Sequence, residues 1–242
     1  MALKIFVDFD GTITDADVGN SFFVTFGGRA CETHVEEYRR GRITAQECFR
    51  RELAEMGSID RPALDAFIDM QRIDPGFPRF VDFCRTNDIT CTILSDGLDY
   101  YIDRILTSNG IADVPVFSNV LRLSAPDTSG RCVSSLVFPY ADAECGICAC
   151  CKRNIMLTHA GDDDVIAYVG EGFSDRCPAR YADIVFAKDE LQTFCQRENI
   201  SYFLYRTFDD VVVRLEELTA RTRIRKRRRA HMRRREIFIS EP

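Results

Sequence analysis

No stretch of this chain approaches the roughly 20 consecutive apolar residues that a bilayer-spanning helix needs, so no membrane span is expected. A basic region followed by a long apolar one is also missing at the N-terminus. Asp8 and Asp10 interrupt it within the first ten residues, which argues against a secretory signal. The 11 cysteines are odd in number and, outside one cluster, show no disulfide-framework spacing. Reduced thiols and a cytoplasmic protein are the corresponding expectation. The histidines, His34, His159 and His231, are too far apart in sequence to suggest a ligand set. There are no internal repeats, and nothing in the sequence specifies an oligomeric state.

One carboxylate-free segment is also strongly basic. Between Arg221 and Arg235 stand nine arginines, one lysine and no acid. Taking those ten positive charges from the net charge of −6 leaves −16 for the remainder, so an acidic body carries a basic tail. Such a tail attracts nucleic acid or an anionic surface through counterion release. It has no interleaved aromatics for base stacking, and a solvated tail lying against the acidic body is the plainer reading.

Val-, Ile- and Phe-rich runs at Leu3–Val7, Ile89–Leu94, Val114–Phe117, Val165–Val169 and Ile184–Ala187 read as strands. Helical patterns at Pro78–Thr86, Tyr100–Ser108, Arg153–His159 and Glu190–Glu198 lie between them. This alternation predicts an α/β fold, a doubly wound parallel sheet with a Rossmann-type core. Residues 15–73 break the rhythm, read as helical throughout and offer no clear strand. They are expected to form a small helical cap inserted into a core of residues 1–14 and 74–208, with a C-terminal helix and basic tail over 209–242. "TAQE" has capping-box spacing that starts a helix at Thr44, and Asp60 before Arg61-Pro62 marks another start. "NVLRLSAPDTSGRCVSSLV", Asn119 to Val137, reads as a hairpin or two short strands.

The first strand ends in "VDFDGTIT". Residues two apart on a strand share a face, so Asp8 and Asp10 point together where ligands gather in open α/β sheets. Two carboxylates there suit Mg²⁺, Gly11 allows a sharp turn, and Thr12 offers a hydroxyl to an anion. A solvated Asp-Gly turn is the alternative. Three downstream features weigh against it. "ILSDG" ends a strand at Ser95, Asp96 and Gly97, or is a plain helix cap. Lys152 opens a helix, or is a solvated lysine. "VGEGFSD" sets Glu171 and Asp175 in a loop after another strand, or is an acidic turn.

That order resembles the haloacid dehalogenase superfamily of phosphohydrolases, whose pattern begins DxDGT and covers about the first 200 residues here. "DFDGT" matches the first motif, Ser95 the second, Lys152 the third and "GEGFSD" the fourth, with Glu171 where an aspartate is usual. The helical insert is similar to the cap of the phosphoserine phosphatase-like branch. "GRITAQEC", "ILSDGLDYYI", "CKRNIM" and "DRCPARYADIVFAK" resemble its MtnX-like phosphatases of methionine salvage. The resemblance implies Asp8 as nucleophile through an aspartyl-phosphate and Asp10 as acid and base. It also implies Thr12, Ser95, Asp96, Gly97 and Lys152 around the phosphate, and Mg²⁺ held by Asp8, the Asp10 carbonyl and a carboxylate from Glu171 or Asp175. The partner implied is a small phosphorylated metabolite.

Cap residues are expected to choose the substrate, with Asp15, Asn20, Phe22, Phe23 and Arg51 as candidates. "CGICACCK" places Cys145, Cys148, Cys150 and Cys151 before Lys152, a possible metal set. Without a second, separated pair, a reduced thiol loop is the simpler reading. Two other functions use the same residues differently. A phosphotransferase or phosphomutase would pass the phosphoryl group from Asp8 to another hydroxyl, and a nucleic-acid-binding protein would act through the tail.

Overall fold

The computed structural model describes residues 2–143, 147–221 and 224–240. The chain opens with strand β1 (Leu3–Val7), followed by helices α1 (Val18–Gly27), α2 (Ala30–Arg39) and α3 (Ala45–Met56), strand β2 (Ile59–Asp60) and helix α4 (Arg61–Asp69). Next come α5 (Phe77–Thr86), β3 (Thr90–Leu98), α6 (Asp99–Ser108), β4 (Val116–Leu123), β5 (Arg131–Cys132) and β6 (Ser134–Val137). The chain continues through α7 (Lys152–Thr158), β7 (Val165–Gly170), α8 (Arg176–Ala179), β8 (Ile184–Ala187) and α9 (Asp189–Arg197). It finishes with β9 (Phe203–Leu204), α10 (Phe208–Thr219) and α11 (Arg228–Ser240).

Seven strands form one sheet in the order β6-β4-β3-β1-β7-β8-β9, parallel except for β6, which runs antiparallel along β4. β1 is central, pairing with β3 on one side and β7 on the other. Successive β1 side chains feed opposite faces. Ile5 and Val7 join Ile93, Val169 and Phe186 in one apolar cluster, while Phe6 joins Leu94, Ile166 and Val185 in the other. Burial on both faces explains why these strands read as continuous apolar runs. The α/β parallel-sheet expectation is therefore met.

Several elements differ from the sequence reading. β3 continues to Leu98, past the expected end at Leu94, with a register shift between those residues. The Asn119 amide donates to the Asp96 carbonyl and the Gly97 N–H to Ser95 Oγ, so side chains complete what the ladder leaves open. The expected hairpin at 119–137 is β4 with β6, and its turn sends out β5. β5 pairs antiparallel with β2, Ile59 opposite Cys132 and Asp60 opposite Arg131, joining the helical block to the sheet. A two-residue strand that depends on a partner over 70 residues away leaves no local pattern to read. Thr44 accepts from the Glu47 N–H at 3.2 Å and starts α3, whereas Asp60 precedes α4 without a side-chain cap.

From Arg228 onward the basic segment is the helix α11, docked along one side. Ala230 is fully buried, and Arg234 makes a bidentate pair with buried Asp183 at 3.0 Å to each oxygen. No helix among the described residues is long and apolar enough to cross a membrane.

Candidate active site

Asp8 follows the last residue of β1, and its N–H extends the ladder by donating to the Val169 carbonyl at 2.9 Å. Phe9 turns into the core. Its carbonyl accepts from the N–H groups of Thr12, Ile13 and Thr14, which reverses the chain beneath the two aspartates. Gly11 sits at φ +69°, and a Cβ there would lie 3.1 Å from Glu171 Oε1, so this turn favours glycine on both counts. Asp8 and Asp10 thus stand at the carboxyl end of the central strand, on the wall of a cavity of about 440 Å³.

Lys152 begins α7 and is 2% exposed. Its Nζ donates to Asp8 Oδ1 at 2.5 Å, Asp175 Oδ1 at 2.8 Å and Ser174 Oγ at 3.0 Å. Burial opposes the charge on this ammonium, but Asp175 and Asp8 outweigh it and hold the group protonated. Burial, and then the charge of Asp175, pushes the Asp8 carboxyl well upward against the pull of Lys152. One ammonium between two carboxylates leaves the set with excess negative charge.

Asp10 Oδ1 accepts from the Gly19 N–H, Oδ2 accepts from Ser95 Oγ at 3.1 Å, and Tyr101 Oη lies 3.0 Å from both oxygens. Burial first, and the Asp17 carboxylate second, push Asp10 up to about 7, against the lowering effect of those donors. A carboxyl titrating there can give and take a proton near neutrality. Gly97 makes this cluster possible, since a Cβ would meet Tyr101 Oη at 1.9 Å and Asp10 Oδ2 at 2.5 Å.

The two acids of "GEGFSD" have different surroundings. Asp175 is fully buried, and both its oxygens are filled. Oδ1 accepts from Lys152 and the Tyr168 hydroxyl, and Oδ2 from the N–H groups of Glu171 and Gly172. Glu171 lines the cavity beside Asp8 and Asp10, and burial, then Asp175, raises its carboxyl to about 7. Among the described residues no three carboxylate, imidazole or thiol side chains close on one point. The donor set nonetheless fits Mg²⁺, which takes oxygen ligands and needs only one or two protein carboxylates. Asp8, the Asp10 carbonyl and Glu171 could supply them; burial is the main cause that raises the Asp8, Asp10 and Glu171 carboxyls, with neighbouring carboxylates adding to it. Asp175 has no free oxygen lone pair facing the cavity to offer in the same way.

The other expected residues divide. Asn20, Phe23, Asp96 and Gly97 line the cavity. Asp96 also accepts from the Cys150 N–H at 2.7 Å, fixing the chain just before Lys152. Thr12 is buried and donates to Asp8 Oδ2 at 3.2 Å, and Ser95 faces Asp10, so both orient carboxylates in this structure. Asp15 and Arg51 lie outside the lining. Arg51 is held by Glu47 and Glu37, and the Asp15 N–H by the Arg72 carbonyl. Phe22 packs among Phe23, Phe26, Phe67 and Tyr101. Of the cysteine cluster, Cys145 lies outside the described residues. Cys150 and Cys151 are buried and Cys148 is half-buried, none of the three in a disulfide.

Tyr101, Asp17, Gly19, Tyr38, Phe49 and Glu52 were not anticipated at the cavity. Tyr101 stands in the quoted "ILSDGLDYYI", one helical turn beyond the second motif, and that proximity was the available signal. Asp17 caps α1 by accepting from the Asn20 N–H at 2.8 Å.

The family described as Putative Phosphatase matches residues 3–200. A 2-hydroxy-3-keto-5-methylthiopentenyl-1-phosphate phosphatase from Brevibacillus brevis is 28% identical over 219 residues, 89% of this chain and 96% of its own length. A phosphatase of the same name from Exiguobacterium sibiricum is 29% identical over 223 residues, covering 89% of this chain and 97% of that one. A solved phosphoserine phosphatase carrying a phospho-aspartyl intermediate analogue superposes with a TM-score of 0.67 at 13% identity, over 88% of this chain and 98% of that one. A substrate-bound phosphoserine phosphatase gives 0.66 at 15% identity, again over 88% and 98%. These structures share the fold.

Proposed function

The chain belongs to the family described as Putative Phosphatase, and from that membership we propose that it hydrolyses a small phosphomonoester with Mg²⁺, using Asp8 as nucleophile. The observation that carries this reading is the Asp8–Lys152–Asp175 arrangement, with Asp10 beside it at one cavity wall. Lys152 neutralises charge and steers a phosphoryl group onto Asp8. An Asp8 oxygen attacks phosphorus, the bond to the ester oxygen breaks, and Asp10 gives that oxygen its proton. Asp10 then takes a proton from water, which attacks the aspartyl-phosphate and releases inorganic phosphate and free Asp8. Asp8, the Asp10 carbonyl and Glu171 would hold Mg²⁺, which would supply the charge that lets a carboxylate approach an anionic phosphate. Thr12 and Tyr101 keep the two aspartates oriented, and Asp175 keeps Lys152 in place.

For the substrate we take the kind of compound in the relatives' name, a keto-hydroxyalkyl phosphate of methionine salvage. Phe23, Val35 and Phe49 give the cavity an apolar side suited to an alkylthio tail. The helical block α1–α4 would act as the cap over the bound ester. The test is Mg²⁺-dependent phosphate release across a panel holding that intermediate, phosphoserine, phosphocholine, pyridoxal phosphate and sugar phosphates, with Asp8→Asn alongside. Release that Asp8→Asn abolishes supports the mechanism, and the preferred ester identifies the substrate. Release that survives Asp8→Asn, or none from any ester, rejects it.

A further inference from the structure

A second cluster of basic side chains lies away from the cavity. Arg180 follows α8 just before β8, and Glu198, Asn199 and Ile200 link α9 to β9. Both segments enter parallel strands, so they lie at the amino ends of the sheet, opposite Asp8. There they meet Arg227, Arg229 and Arg233 around a niche of about 30 Å³. That is room for about two water-sized groups, and so for one small tetrahedral ion.

The electrostatics of this niche are unbalanced. Four arginines line it with one carboxylate, Glu198, which is already bonded to Arg180 at 3.0 Å. The nearby Asp183 has both oxygens occupied by Arg234. Arg229 and Arg233 are four residues apart on α11, a spacing at which like charges repel, and both are exposed. Desolvation, and further down the charges of Arg233 and Arg234, lower the Arg227 guanidinium.

Two donors are also left over. Among the described residues the Nε–H groups of Arg176, Arg180 and Arg227 are buried with no acceptor, and the last two of these side chains line the niche. Buried N–H groups nearly always have a partner, and an orphan one calls for a missing ligand or ion. The remaining guanidinium contacts fix the donors in place. Arg227 donates to the Ala179 and Arg180 carbonyls, and Arg180 stacks over the Phe194 ring at 5.2 Å. Fixed forks of N–H groups match the oxygens of a phosphate.

We propose that Arg180, Arg227, Arg229 and Arg233 form a second, non-catalytic site for a phosphate-class oxyanion. Three of these residues lie beyond residues 3–200, which the family match covers. The small size of the niche favours a free ion over a phosphate within a polymer. Bound there, the anion joins α11 to the α9–β9 link and removes the repulsion along the helix.

Isothermal titration of the full chain with inorganic phosphate, against chloride at equal ionic strength, tests this. Two classes of phosphate site are expected, one at the cavity and one at the niche. Arg229→Ala/Arg233→Ala should weaken the niche class about tenfold or more, on the scale of charged hydrogen bonds, and leave phosphate inhibition of hydrolysis unchanged. Phosphate binding that the double variant leaves untouched, whether in one class or two, overturns the proposal, and a single class lost in the double variant supports the niche while counting against a phosphate site at the cavity. Should that variant fail to fold, crystals of the unaltered chain soaked in tungstate decide. A heavy-atom peak among the four arginines supports the site, and an empty niche rejects it. A single-stranded RNA oligomer that binds through these arginines where phosphate does not would overturn the free-ion assignment.

Discussion

Glu171 and Asp175 are four residues apart in one loop, yet Asp175 is sealed by four donors while Glu171 opens onto the cavity beside Asp8. Two carboxylates that look interchangeable in the sequence therefore have separate work. Asp175 holds Lys152 and the loop. Glu171 is the one positioned to meet a metal ion.

Exchanging each for its amide should separate these roles. Asp175→Asn leaves Lys152 with a weaker partner in a buried site and should cost about 3–5 kcal/mol, the usual range for breaking a buried ion pair. Glu171→Gln should change the melting temperature little and raise the Mg²⁺ concentration needed for half-maximal activity at least about tenfold. Thermal melts and Mg²⁺ titrations of both variants check this. Equal destabilisation with equal metal dependence would contradict the division.

Tyr101 donates to an Asp10 carboxyl raised to about 7. In the proposed role of general acid Asp10 must be protonated, so kcat/KM should fall as pH rises past the point where Asp10 ionises in the Mg²⁺-bound protein. A donor hydrogen bond favours the charged carboxylate. Tyr101→Phe removes it and should move this alkaline limb upward by about 0.5–1 unit. The pH–rate profiles of the two proteins, compared at saturating Mg²⁺, give the answer. A limb that stays put or moves down refutes the assignment.

Gly97→Ala places a methyl 1.9 Å from Tyr101 Oη and 2.5 Å from Asp10 Oδ2. Overpacking of this kind costs about 1–3 kcal/mol, and kcat should drop at least about tenfold by displacing Asp10. Tyr101→Phe removes the closer of the two atoms. The double variant should recover part of the stability lost by Gly97→Ala, and a double-mutant cycle by denaturant unfolding measures that coupling. Strictly additive effects would show that the crowding lies elsewhere.

Glu52 is a buried carboxyl that accepts from the Cys48 thiol at 3.6 Å, and burial pushes it up to about 8. The folded chain therefore keeps a proton that the unfolded chain, titrating near 4.5, gives up. Between those two pH values the native state binds more protons, so stability falls as pH rises and levels off above the higher one. Glu52→Gln removes the slope. Relative to wild type it should gain roughly 2 kcal/mol between pH 6 and pH 9, read from urea melts at both. A constant difference across that range would place the titration in another group.

The sheet and the acids at its carboxyl end were legible because each rests on local sequence. Leu3–Val7 and Ile184–Ala187 were read to the residue, since strands buried on both faces are continuous apolar runs. Asp8, Ser95, Lys152 and Asp175 were each marked by the strand or helix they follow or open. What escaped reading depends on distant partners. β2 exists through β5, and Tyr101 matters through Asp10, 91 residues away. Arg51 was a reasonable candidate cation for the cavity, but Glu37 and Glu47 on the same helical block claim it first. The basic tail reads as a solvated charge run against the acidic body, and what holds it there, buried Asp183 with the Ala179, Arg180 and Tyr181 carbonyls, comes from distant parts of the chain.

The position of β1 also bears on how the chain is made. Leu3–Val7 is made before both of its neighbours, residues 90–93 and 165–169. Until β3 emerges, a run of five residues, four of them apolar, has no strand to pair with, and one of its edges stays open until β7 follows; such a segment sticks to other nascent chains. The sheet cannot close around its own centre until residues 165–169 have left the ribosome. Productive folding in the cell is thus a matter of keeping the first strand out of trouble until the seventh arrives.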